Sequence, residues 1–137
     1  MMRALIFLLA LLGLAIATYF TGVAYRLIPP DTRYIPRVCR LGEDTCRKVV
    51  DTPRARVFGV PNSLLGMIYY VALMALAVAG TAPPWLDLAY RLVAWGTVAL
   101  GVFLTYSLLF ITRVPCVLCF TSHALNLVIA IILTWAW

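Results

Sequence analysis

Four stretches of the chain, residues 4–24, 57–80, 92–112 and 114–137, contain no Asp, Glu, Lys or Arg. Each is close to the roughly 20 residues needed to cross a hydrocarbon core. Inside lipid every backbone N–H and C=O must be satisfied by the protein itself, which leaves helices or closed barrels. The stretches are rich in Leu and Ala and lack the alternation of barrel strands. They predict an all-α integral membrane protein: a single domain, residues 1–137, forming a four-transmembrane-helix bundle. Composition points the same way. Of the residues, 64% are apolar and 12% charged, against about half and a quarter in soluble domains, and disorder needs the opposite balance. The net charge of +6 has no soluble face on which to form a nucleic-acid patch, so no nucleic-acid partner is expected.

Met1-Met2-Arg3, an apolar run and Ala15-Ile16-Ala17 resemble a secretory signal with a cleavage site. The apolar run continues through Tyr19-Phe20 to Ala24, however, and is read as a span. Pro29-Pro30 and Pro83-Pro84 mark the ends of the first two spans, and Arg113 alone separates the last two, predicting a tight antiparallel hairpin. Asp31, Glu43, Asp44, Asp51 and Asp87 are all expected in loops. A proton-coupled exporter of four short helices, which needs a carboxylate in the membrane, is therefore disfavoured.

The polar segment of residues 25–56 is long enough to suggest a functional loop. It contains Cys39 and Cys46, whereas Cys116 and Cys119 form a Cys-Val-Leu-Cys motif at the start of the fourth span. With four helices, the first and third loops emerge on the same side, so all four thiols can meet at one membrane surface. Residues three apart on a helix share a face. Pro115 suits the first helical position, placing Cys116 in the first turn, where free N–H groups, the helix dipole and Arg113 stabilise a thiolate. Arg37, Arg40, Arg47 and Lys48 do the same for the loop pair, and the loop gives Cys46 a way to reach Cys116. The same thiols also suit burial as small apolar groups, one structural disulfide or a zinc site, although Cys-x6-Cys is a loose first half for zinc.

Taken together, these residues resemble the vitamin K epoxide reductase family. The resemblance rests on Cys39 and Cys46, on Asn62-Ser63-Leu64-Leu65-Gly66 at the second helix, and on Cys116-Val117-Leu118-Cys119 followed by Phe120-Thr121-Ser122-His123-Ala124-Leu125-Asn126. It implies a bundle around a quinone (menaquinone, ubiquinone or a vitamin K-like compound), with electrons arriving from a thioredoxin-like partner. No metal is implied, and with no fused thioredoxin-like domain in the chain, a separate partner is expected. Carried over by position, Cys39 faces the partner, Cys46 forms a transient disulfide with Cys116, and Cys119 faces the quinone. Asn62 matches the position whose amide bonds one quinone carbonyl, and His123 stands where vertebrate members have a tyrosine on the opposite carbonyl. That histidine departs from the vertebrate pattern, and vitamin K epoxide specificity does not carry over with it. The bacterial disulfide-bond B family runs related chemistry, but its cysteine pairs come in the reverse order.

His123 is the one ionisable group in the four stretches besides cysteine and tyrosine, and such groups in membranes are usually functional; the plainer reading is a bond to a neighbouring helix. Asn62 or Ser63 would equally serve as a helix N-cap, which leaves Ser63 a secondary candidate for the binding site. Tyr69, Tyr70, Tyr106 and the tryptophans read as packing residues or interfacial anchors. Nine of the 11 basic residues lie on the cysteine side, and only Arg3 and Arg91 lie opposite. The positive-inside rule then predicts a cytoplasm-facing site with both termini outside, an arrangement suited to organisms with disulfide-rich intracellular proteins.

Overall fold

The computed structural model describes residues 1–27, 56–57, 59–111, 113 and 117–137. Four helices are long and apolar enough to cross a membrane. They are α1 (Met2–Ala24), α2 (Asn62–Ala79), α3 (Pro84–Tyr106), prolonged by a π-helical turn at Ser107–Ile111, and α4 (Val117–Trp135). A short antiparallel hairpin, β1 (Arg56–Val57) and β2 (Val60–Pro61), precedes α2, with Arg56 opposite Pro61 and Val57 opposite Val60. Gly59 turns it with φ +81°, a conformation that favours glycine.

Helix ends follow from local chemistry. At the end of α1, Leu27 N–H donates to Gly22 C=O at 2.8 Å and Arg26 N–H to Val23 C=O at 3.1 Å, with Arg26 left-handed at φ 59°. This is a Schellman stop built without glycine. α2 ends at Gly80, which is left-handed and donates its N–H to Leu76 C=O at 3.0 Å. Pro84 occupies the start of α3, where its missing N–H costs nothing.

α3 begins eight residues before the uncharged stretch that predicts it. Asp87 therefore lies in a helical first turn and not in a loop, and the expectation for that residue is corrected. Its carboxylate meets Arg91 at 2.9 Å across one turn. The i,i+4 spacing pairs the charges and lets the helix carry both, whereas a search for uncharged runs stops at Arg91. α2 in turn begins later than its apolar stretch, because the hairpin occupies the residues before Asn62.

α1 packs mainly along α2 and α3 along α4, and α1 against α4 joins the two pairs. The ends interlock antiparallel. Thr21, late in α1, donates to Ser63 Oγ at the start of α2 (3.0 Å), while Trp95 of α3 donates to Thr134, late in α4 (3.0 Å). At the opposite end of the bundle from Ser63, the Arg3 guanidinium reaches Gly80 and lies 5.8 Å from the Trp137 ring centre. There it places a cation at the C-terminus of α2 and over an aromatic face. Side chains such as Leu8, Val78, Leu92, Val102 and Phe110 face outward, as a bundle surrounded by lipid requires.

Candidate active site

A cavity of about 430 Å³ opens inside the half of the bundle nearest Cys119. All four helices wall it. Ile16 and Phe20 come from α1, Leu65, Gly66, Tyr69 and Tyr70 from α2, Leu100 and Leu104 from α3, and Cys119, Ser122, His123 and Asn126 from α4. The α4 set recurs at intervals of three and four, which places it along one helical face. Ser107 and Leu108 of the π turn also line the cavity; such turns frequently sit at functional sites.

Four of the residues singled out in the sequence line this one cavity: Asn62, Ser63, Cys119 and His123. Asn62 is the first residue of α2, and Pro61 holds the cap position with no side-chain bond. The cap reading of Asn62 and Ser63 is therefore corrected. Ser63 instead accepts the Thr21 hydroxyl, while Asn62 makes no side-chain hydrogen bond among the described residues and its amide stays available to the cavity. Cys119 is half-buried beside the cluster of Ile16, Phe20, Leu108 and Leu125. Cys39, Cys46 and Cys116 lie outside the described residues, as does most of the expected loop.

His123 lies against α3 where Gly101 has no side chain. A Cβ there would sit 2.9 Å from His123 Nδ1 and 3.2 Å from its Cγ. Glycine is needed at this point for close approach. Along α3 the cavity wall also reaches the lipid-facing surface: Val93, a wall residue, is 51% exposed, and a Cβ on Gly96 would meet nothing within 4 Å.

Tyr70 does more than pack or anchor. It is 2% exposed, and its hydroxyl donates to Asn126 Oδ1 at 2.7 Å and lies 3.4 Å from Ser122 Oγ. Its ring passes α1 at Gly13, where a Cβ would collide with the ring carbons. For Ser122 and Asn126 the signal in the sequence is their spacing from Cys119 along one helix. Tyr70 carries no such signal, because its partners lie more than 50 residues away.

An apolar cavity of this size, with a few convergent polar groups, is the usual form of a small-molecule site. A thiol beside it supplies redox chemistry, and an amide and an imidazole supply hydrogen bonds and a proton. Among the described residues no cluster of three metal-ligating side chains occurs. A search of curated proteins returned no match. The family model described as "Vitamin K epoxide reductase family" matches residues 4–134, nearly the whole chain. A match of that extent, on a bundle of four membrane helices around a cysteine-lined cavity, means that the chain belongs to the vitamin K epoxide reductase family.

Proposed function

We propose that this protein oxidises a reduced thioredoxin-like partner and passes the two electrons to a membrane quinone, thereby supporting disulfide formation in other proteins. Family membership makes it a membrane thiol-disulfide oxidoreductase of multi-pass topology; the quinone, the partner and the electron path are the proposal. The observation that carries it is that Cys119 shares one largely apolar cavity with Asn62 and His123.

The cavity suits a quinone headgroup. Its volume is in the range that encloses one small ligand, its walls are mostly aliphatic and aromatic, and Asn62 and His123 offer hydrogen bonds to carbonyl oxygens. The exposed stretch of wall at Val93 and Gly96 gives an apolar ligand a lateral way in from lipid. A bound quinone supplies an acceptor for two electrons and two protons.

The chain's own groups carry the rest. The partner's thiolate attacks the Cys39–Cys46 disulfide at Cys39, and Cys46 leaves as a thiolate. The partner's second thiol then displaces Cys39, and the partner departs oxidised. Cys46 attacks Cys116, releasing Cys119, and Cys39 resolves the transient Cys46–Cys116 bond to restore the loop disulfide. Cys119 gives up the electron pair and re-forms its bond to Cys116. In sum, one dithiol becomes a disulfide and the acceptor gains two electrons and two protons. Asn62 orients the ligand, and His123 on the cavity wall is able to hand over a proton.

The charge distribution orients the site toward the cytoplasm; thiol labelling that finds the first loop outside would overturn this part. The central test is anaerobic quinone reduction by the purified protein with a dithiol donor. Cys116→Ser and Cys119→Ser should abolish turnover, whereas Cys39→Ser and Cys46→Ser should fail only with a protein donor. A wild type that reduces none of ubiquinone, menaquinone or vitamin K forms would favour a structural disulfide or a zinc site.

A further inference from the structure

The cavity has polar groups at two depths. Cys119 stands at the level where α4 begins, and Asn126 follows seven residues later, about 10 Å deeper at 1.5 Å per residue. Asn126 lines the cavity, and its Oδ1 is occupied by the Tyr70 hydroxyl at 2.7 Å. Because the amide is planar, that bond sets the direction of its two N–H donors, which have no acceptor among the described residues. Asn126 is half-buried on the cavity wall, so these donors are free to meet an acceptor that comes with the ligand.

The orienting group is itself held from both ends. Gly13 leaves room for the Tyr70 ring on α1, and Ser122 Oγ lies 3.4 Å from its hydroxyl on α4. Tyrosine, with one rotatable hydroxyl, cannot swing away without losing both contacts. Its O–H also polarises the amide it donates to, which strengthens the N–H groups on the other side.

We infer that Asn126, oriented by Tyr70, is a binding residue that donates to the ligand oxygen farthest from Cys119, the second carbonyl of a quinone. This rests on the quinone reading above. Asn62 addresses the carbonyl nearer the thiol, while Asn126 joins His123, one turn away on α4, at the opposite edge, where negative charge grows as electrons arrive. Asn126 is neutral and moves no proton. Its contribution is to ligand affinity, and Tyr70 is a positioning residue that acts through it.

The test uses the full-length protein in detergent, with dithiothreitol as donor and menadione as the quinone. Asn126→Leu should raise the KM for menadione about tenfold, as expected when one hydrogen bond to a charge-developing oxygen is lost. Tyr70→Phe should raise it about threefold, through loss of orientation alone. The double variant should match Asn126→Leu, because Tyr70 acts only through Asn126. Reduction of the cysteines by dithiothreitol without quinone, followed by thiol alkylation, should be unchanged in all three, which a merely structural disturbance would not spare. An unchanged KM in Asn126→Leu, or a double variant whose effect is the product of the singles, would overturn the assignment. If Asn126→Leu fails to accumulate, Tyr70→Phe decides alone, and an unchanged KM there overturns it. A wild type that reduces no menadione would instead sink the quinone reading, and this assignment with it.

Discussion

The two halves of the bundle are built by the same four helices, yet one is solid and the other hollow. Away from the cysteines, Ile6, Ala10, Leu73, Ile129, Ala130 and Leu133 have no exposed surface, and Arg3, Gly80 and Trp137 close the end. Toward the cysteines the helices surround about 430 Å³ of open space. The difference lies in residue size along the inward faces. In the first half Ile6, Leu73, Ile129 and Leu133 close over Ala10 and Ala130, whereas in the second Ser63, Gly66, Thr97, Gly101 and Ser122 stand between the larger wall residues and leave space between helices. Helix association in lipid depends on packing contacts because no hydrophobic drive separates protein from solvent there. The solid half therefore supplies cohesion that the hollow half gives up for its cavity.

That division of labour can be broken most sharply with Cys119→Ser. Quinone reduction should fall below detection while the thermal unfolding midpoint in detergent stays near wild type, since Cys119 is a half-buried wall residue and not part of the solid core. A large loss of stability would mean that the thiol side also holds the bundle together.

A pair of leucines sharpens the comparison quantitatively. Leu73→Ala should destabilise by about 2 kcal/mol, mostly the cavity left in a packed site. Leu104→Ala, on the cavity wall, should cost about 1 kcal/mol because that side chain already lacks neighbours on one side. Steric trapping or reversible denaturation in micelles would measure both, and equal losses would refute the contrast. Gly13→Ala lies between the halves. Its Cβ would collide with the Tyr70 ring, costing about 1–3 kcal/mol by overpacking and weakening quinone binding through Asn126. The smallest effect belongs to Asp87→Asn at the closed end. An i,i+4 pair near the surface there is worth a few tenths of a kcal/mol, with turnover unchanged.

Much of the fold and part of the site are legible in the chain itself. Uncharged stretches of membrane-spanning length specify four helices, and the spacing of Cys119 and His123 places them on one face of α4. Two local departures have physical causes. The start of α3 escapes a search for uncharged runs because Asp87 and Arg91 neutralise one another within the helix, which a count of charges does not register. An N-cap role for Asn62 or Ser63 is plausible from neighbouring residues alone, but Thr21, 42 residues earlier, takes Ser63. Tyr70 resembles any other packing aromatic, because nothing adjacent to it in the chain distinguishes it.

Hydropathy, short spacings and motif order are local properties, and from them follow the membrane, the number of spans, the family and the candidate chemical groups. Packing in three dimensions settles which end of the bundle is hollow, that Gly13 and Gly101 make room for Tyr70 and His123, and that Tyr70 orients Asn126. Each of these is a contact between residues far apart in the chain. Which side chains meet across helices depends on their relative rotation and separation, and no single helix carries that information.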